Sequence, residues 1–339
     1  MSSIATNWIQ SSGSAAPLLC LTLFLAGSFL MVWRLESLSA SGLEGTVLGT
    51  LVMPYCSGLG NLIFAYVLGK SGGDSREVMT NCLVNNVTNM TLLIGLPAMI
   101  WGLSLAPKKK LTGKKGKAGE ETQRVNRLSL LLTMIAVLFF AGATWALGRD
   151  GQIEFADGLV LVGLFLFWQT FHVFDVLKSR TPQKRPFGLS LPLDLALLLV
   201  GAYAVYVSTN WLVDWVQSLH TGFISAKHLG WLSGWLMVLP NALLALYYGA
   251  KRRAEVVYTS QVGDGHICIP LCIGVFALWR PIPMPHFFDL GVLFLVGAVI
   301  LHFAAVAAFG RLPRLMGAMF ILSYGVFLWK GAFTPAAAQ

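Results

Sequence analysis

Ten stretches of mostly apolar residues dominate this chain, and they leave it few ways to fold. They run over roughly 17–33, 43–69, 78–105, 128–148, 155–177, 189–212, 223–250, 256–279, 287–309 and 312–331. A bilayer span needs ~20 such residues. Lipid offers the backbone no hydrogen bonds, so each span must satisfy its own as a helix. Of the 339 residues, 56% are apolar and only 12% are charged, about half the roughly 25% charge content of soluble domains. That charge density cannot cover a water-facing surface, which excludes an ordinary cytosolic enzyme. No basic segment precedes the first stretch and Arg34 follows it, so it reads as a span and not a cleaved signal.

The basic residues set the orientation. Eighteen of the 24 Lys and Arg fall on one side of the predicted spans, among them Arg34, Lys114, Arg180, Lys251 and Arg311. Lys70, Arg76, Arg149, Lys227, Arg280 and Lys330 fall on the other. The positive-inside rule then puts the first group in the cytoplasm and both termini outside, as expected of a multi-pass protein of a bacterial inner (plasma) membrane. The same asymmetry accounts for the net charge of +9 without nucleic acid. The basic loop 106–127, containing PKKKLTGKKGKAGEETQR, reads as a topological anchor and solvated linker. A sharper reading is contact with anionic lipid headgroups, worth about 1 kcal/mol per basic residue near the surface.

Two parts of the chain repeat. LGNLIFAYVLG (Leu59–Gly69) and LPNALLALYYG (Leu239–Gly249) share Leu, Asn, Ala and Gly at a constant offset of 180 residues. In the segments that follow, Leu92, Ile94 and Gly95 match Leu271, Ile273 and Gly274 at an offset of 179. The copies fall in spans of opposite direction, so they are inverted in the membrane. Inverted repeats with interrupted helices and a midplane site are a transporter layout. Gly58, Gly60 and Pro240 are suited to interrupting a helix. The expectation is an all-α polytopic membrane protein with ten transmembrane helices as two inverted five-helix repeats. The first repeat covers 1–177, a cytoplasmic linker 178–188, and the second repeat 189–339.

On these residues the chain resembles the cation/calcium antiporter superfamily, the sodium/calcium exchangers and their relatives. That family's repeats read Gly-Thr-Ser-x-Pro-Glu, then Gly-Ser-Asn-x-x-Asn/Asp before an apolar run ending in Gly. Asn85, Asn86 and Asn89 fit the second element of repeat one, and Pro240 fits the proline of repeat two. The openings of the family's fifth and tenth helices are met by Gly151, Ile153, Asp157 and Gly158, and by Gly310, Arg314 and Gly317. The resemblance implies an ion site between helices 2, 3, 7 and 8, and this chain departs from it there. The two ion-ligating glutamates align with Asn61 and Asn241, the repeat-two Asn/Asp with Cys268, its Ser with Asp264, and the repeat-one proline with Gly60.

The residues themselves point to the same place. Asn81, Asn85 and Asn89 recur every four positions, a polar stripe along helix 3. Such a stripe lines an ion path or makes interhelical hydrogen bonds worth about 0.6 kcal/mol. Helix 8 carries Gln261, Asp264, Gly265 and Cys268 on one side, and Asp264 is the acid deepest within a span. Intramembrane acids are costly and functional candidates by default. His266 lies about 200° around the helix from Asp264 and should point elsewhere. His172 and Asp175 form an i, i+3 pair near the end of span 5, read as interfacial. Asn86-Val87-Thr88 and Asn89-Met90-Thr91 match the glycosylation pattern but lie at membrane depth. The cysteines (Cys20, Cys56, Cys82, Cys268 and Cys272) sit in apolar runs without metal-ligand or disulfide spacing, as buried thiols do.

The expected ion-binding set is therefore Asn61, Asn85, Asn89, Asn241, Asp264 and Cys268. No P-loop, H-E-x-x-H or nucleotide fingerprint is present, so no cofactor is expected and a gradient must drive transport. The expected function is secondary antiport of small inorganic cations. Calcium favours six to eight oxygen ligands, carboxylates among them. One carboxylate among amides matches a monovalent cation better, with protons competing for Asp264. The alternative is a non-transporting relative, a membrane sensor or scaffold, favoured by the loss of both aligned glutamates. No acid/base pair or nucleophile constellation indicates an enzyme.

Overall fold

Apolar helices make up nearly all of the structure, a computed structural model that describes residues 13–40, 58–105, 114–178 and 190–334. The first half of the chain contributes α1 (Ala16–Ala40), α2 (Leu59–Ser71), α3 (Arg76–Thr88), α4 (Ile94–Trp101), α5 (Lys114–Leu147) and α6 (Phe155–Lys178). The second half contributes α7 (Ser190–Ser218), α8 (Leu229–Ala250), α9 (Ala254–Ile267), α10 (Ile273–Ala277), α11 (Phe288–Phe309) and α12 (Arg314–Leu328). Eight helical runs among the described residues are long and apolar enough to cross a membrane. Of the remaining two expected spans, 43–69 is described only from Gly58 onward, and 256–279 is met by the helical run Ala254–Ala277. Cys56, the first part of the basic loop (106–113) and most of the linker 178–188 lie outside the described residues, as does the side chain of Asp175.

Two local expectations are revised. The basic stretch from Lys114 is helix, not linker: α5 starts there and runs 34 residues. Lys, Ala, Glu, Gln and Arg, which fill its first turns, are good helix formers, and the apolar span downstream gives them a helix to extend. Pro240 does not interrupt α8, which passes through it unbroken. A proline inside a helix removes one N–H donor, so the carbonyl of Leu236 loses its i+4 partner while neighbouring turns hold the helix together.

The described residues form two compact units, and each draws on both halves of the chain. The first takes the described residues up to Asn81, then Ile153–Ser233 and Pro270–Pro283. In it α1 and α2 pack along α7, and α6 packs on α10. Arg34 of α1 and Asp194 of α7 form an ion pair at 3.1 Å, with side chains only 13% and 7% exposed. The second unit takes Cys82–Gln152, Gly234–Ile269 and the described residues from Met284 onward. There α12 packs on α4, while α9 and α11 pack on α5. The two-residue strands Leu103–Ser104 and Arg311–Leu312 pair antiparallel beside them.

Glycine permits one tight crossing in each unit. In the first, a Cβ on Gly158 of α6 would stand 2.8 Å from the Gly274 carbonyl of α10. In the second, a Cβ on Gly317 of α12 would stand 2.6 Å from the Met99 nitrogen and 2.7 Å from the Gly95 carbonyl of α4. Gly95 and Gly274 are the residues that the repeat sets 179 positions apart.

The two repeat segments also share their irregularities. α3 runs into a π turn, Asn89–Leu93, and then into α4; α9 runs into a π turn, Cys268–Cys272, and then into α10. The two π turns are offset by 179 residues from end to end. The short strands that follow, Leu103–Ser104 and Ile282–Pro283, keep the same offset. Each segment also carries a glutamate at its second position, Glu77 and Glu255.

Candidate cation site

The polar side chains that helices 3, 7 and 8 bring into the second unit form one connected chain. Asp264, 2% exposed on α9, is its centre. Its Oδ2 accepts from the amide of Asn89 at 3.0 Å and from that of Asn241 at 2.5 Å. The Asn89 amide also donates to Asn85 Oδ1 at 3.0 Å, and the Cys268 thiol reaches the same oxygen at 3.8 Å. On the other side, the Gln261 amide donates to the Asn241 carbonyl at 3.4 Å and to Ser260 Oγ at 2.9 Å. A carboxylate accepts and does not donate, so it fixes which way both asparagine amides point.

That orientation leaves acceptors over. Asp264 Oδ1, Asn89 Oδ1 and Gln261 Oε1 are buried with no hydrogen-bond partner among the described residues. Burying an unpaired polar oxygen costs about 1–3 kcal/mol, and an ionised carboxylate costs more. Three unpaired oxygens on three neighbouring side chains form a cluster that favours a cation.

Five of the six expected residues thus meet: Asn85, Asn89, Asn241, Asp264 and Cys268. The sixth, Asn61, belongs to the first unit, where it is 2% exposed and its carbonyl accepts from the Cys272 thiol at 3.4 Å. Asn81, though on the same stripe as Asn85, donates to Ser233 Oγ at 3.0 Å in the first unit. His266 turns away, with Nε2 3.1 Å from the Thr133 carbonyl and its ring edge-on to Phe140. His172 stands edge-on to the Trp168 ring at 4.6 Å. Among the described residues, no three His, Cys, Asp or Glu side chains group as a metal site.

Sequence reasoning passed over three supports of this cluster. His302 of α11 is fully buried, and its Nε2 lies 2.7 Å from the carbonyl of Met90, inside the first π turn. That carbonyl can only accept, so Nε2 carries the proton and Nδ1 accepts from the Tyr258 hydroxyl at 3.3 Å. Tyr324 of α12 links Thr88, next to Asn89, with the Trp235 indole of α8, at 3.3 and 2.8 Å. In the first unit, Glu77 Oε2 accepts the Gly230 backbone N–H at 2.5 Å and so caps the start of α8. A lone His or Tyr in an apolar helix has no spacing signal. Gln261 was visible only as one member of a polar face.

Together the helices and the buried acid–amide cluster define a polytopic membrane protein with a polar centre. The chain matches the sodium/calcium exchanger protein family over residues 14–174 and 193–330, and it belongs to that family. In fold it is similar to solved structures of the sodium-calcium exchanger NCX_Mj. With the form soaked in 2.5 mM Na+ and 1 mM Sr2+ the TM-score is 0.63, at 19% identity over 91% of this chain and 95% of that one. With the form in 10 mM Na+ and no Ca2+ it is 0.62, at 21% identity over 98% and 100%. At these identities the likeness is one of fold. No curated protein matches the chain.

Proposed function

We propose that this protein is a secondary active cation antiporter of the sodium/calcium exchanger type whose cargo is a monovalent cation, with protons competing for the same carboxylate. Family membership supports antiport. The observation that carries the cargo is the single carboxylate, Asp264, clamped by two amides beside three unpaired oxygens. A divalent ion there would keep one uncompensated charge, and burying a charge costs several kcal/mol. A monovalent ion would be neutralised. Asn61, with Asn85, Asn89, Asn241, Asp264 and Cys268, makes up the proposed ion-binding set. The two stretches matched by the family, 14–174 and 193–330, support the reading of ten helices as two five-helix repeats.

The test is ion flux in proteoliposomes under Na+, K+, Ca2+, Mn2+ and H+ gradients. Coupled uptake of Na+ or K+ against H+, lost in Asp264→Asn, is the expected result. Micromolar calcium binding that Asp264→Asn leaves unchanged would overturn the reading. No flux of any ion would favour the sensor or scaffold, a reading that rests on amides at Asn61 and Asn241. The proposed orientation has its own check in intact cells, with single cysteines in a background lacking the native ones. An impermeant thiol reagent should label position 76 and not position 114; the reverse pattern sinks it.

A further inference from the structure

A second site lies in the second unit, away from Asp264, where the end of α5 meets the start of α11. A groove of about 690 Å3 opens there. Its inner part is apolar, lined by Val292, Leu293 and Val296 of α11 and by Gly142 of α5. Nothing fills the place of the missing side chain at Gly142, where a Cβ would meet no atom within 4 Å. Leu293 is 67% exposed, so this part faces lipid.

The outer end, where both spans terminate, carries opposite charges fixed on one indole. The Arg149 guanidinium lies over the Trp145 ring, 4.8 Å from its centroid, and the Trp145 Nε1–H donates to Asp289 Oδ1 at 2.8 Å. Arg149 and Asp289 make no ion pair with each other; His286 lines the same end. A cation and an anion held apart on a rigid ring, above an apolar slot along a helix, match one kind of molecule: an amphiphile with both charges in its head.

We propose that this groove seats one phospholipid with a primary ammonium headgroup, of the phosphatidylethanolamine class. The phosphate meets Arg149 and His286, the ammonium donates to Asp289, and an acyl chain lies along Val292, Leu293 and Val296. A quaternary ammonium has no N–H to give Asp289, and an anionic headgroup would meet that carboxylate with like charge. The site therefore distinguishes phosphatidylethanolamine from phosphatidylcholine and phosphatidylglycerol.

Native mass spectrometry of the detergent-purified full chain, offered the three lipids with identical acyl chains, tests this. Retention of one phosphatidylethanolamine, about fivefold over each competitor, is expected, as one charge-assisted hydrogen bond would give. Asp289→Asn should bring it down to the phosphatidylcholine level, and Arg149→Gln should weaken all three, with Arg149→Lys recovering part. Phosphatidylethanolamine brominated on its acyl chains should quench a component of tryptophan emission that Trp145→Phe lacks. Monodispersity and thermal melting identify variants that fail to fold, and the lipid comparison on the unmodified chain stands without them. Equal retention of the three classes, preference for phosphatidylglycerol, or preference unchanged in a folded Asp289→Asn overturns the proposal.

Discussion

The segments Arg76–Trp101 and Ala254–Ala277 share a backbone plan and differ in chemistry. Both carry a glutamate at the second position, a five-residue π turn at the same register, and a glycine just beyond it that meets another helix. At the two positions 179 residues apart that face the polar centre, the first segment has Asn85 and Asn89. The second has Asp264 and Cys268. The irregular turn is thus common to both copies, whereas the charge belongs to one. A π turn widens the helix and leaves carbonyls short of intrahelical donors. In the first copy, His302 supplies one to Met90.

This comparison can be broken most severely at the charge. Asp264→Asn should reduce coupled flux about 100-fold or more, because a buried ion would lose its only compensating charge, while the fold persists. Adding Asn85→Asp to that variant moves the carboxylate to the equivalent place in the other copy. The Asn89 amide already bridges both positions, at 3.0 Å to each, so the swapped protein should regain measurable flux. Should it stay as inactive as the single variant, the two positions are not equivalent for the ion.

The shared glycine crossings give the next effect. Gly317→Ala drives a Cβ onto backbone atoms at 2.6 and 2.7 Å, and overpacking of this kind costs about 1–3 kcal/mol. Gly158→Ala, 2.8 Å from a single carbonyl, should cost somewhat less. Gly163→Ala and Gly325→Ala, where a Cβ meets nothing within 4 Å, are the controls. Thermal unfolding in detergent should rank them in that order, and a Gly317→Ala melt no lower than the controls would contradict the close crossing.

Two smaller effects sharpen the contrast. Asn61→Glu with Asn241→Glu adds acid at matched positions of both copies and should tighten calcium binding about tenfold or more by calorimetry, since calcium prefers sites richer in carboxylates. Unaltered calcium affinity would mean that these positions do not face the ion. His302→Phe keeps a ring against Phe320, which stacks on it at 4.2 Å, but removes the donor to Met90. An unsatisfied buried carbonyl costs about 1–3 kcal/mol, part of which a shift of the π turn can relieve. Cation affinity should weaken two- to fivefold, a change of about 0.4–1 kcal/mol, with a melt lowered by only a few degrees.

The spans were legible because apolar runs of bilayer length have few other fates, and the repeat because its register survives in Leu, Ile and Gly. The stripe of Asn85 and Asn89 and the depth of Asp264 were legible for the same reason: polar groups in apolar runs stand out. Pro240 misled because a proline marks a lost hydrogen bond, not whether the surrounding turns tolerate it. Nothing in Asn89-Met90-Thr91-Leu92-Leu93 announces a π turn; that shape depends on partners such as His302, 212 residues away. Gln261 had the right face, but its unpaired oxygen exists only once the amide has been claimed by Asn241 and Ser260.

The glycine crossings have a consequence for biosynthesis. Each joins a helix made early to one made late: Gly158 must wait for Gly274, 116 residues downstream, and Gly95 for Gly317. At the usual pace of synthesis, the first wait lasts roughly 6 to 23 seconds. During that interval α6 presents a bare glycine groove to lipid or to the insertion machinery. A ribosome stalled at mid-chain would release a half-protein able to complete neither unit. Two separately translated halves, by contrast, would have complementary vacancies to fill.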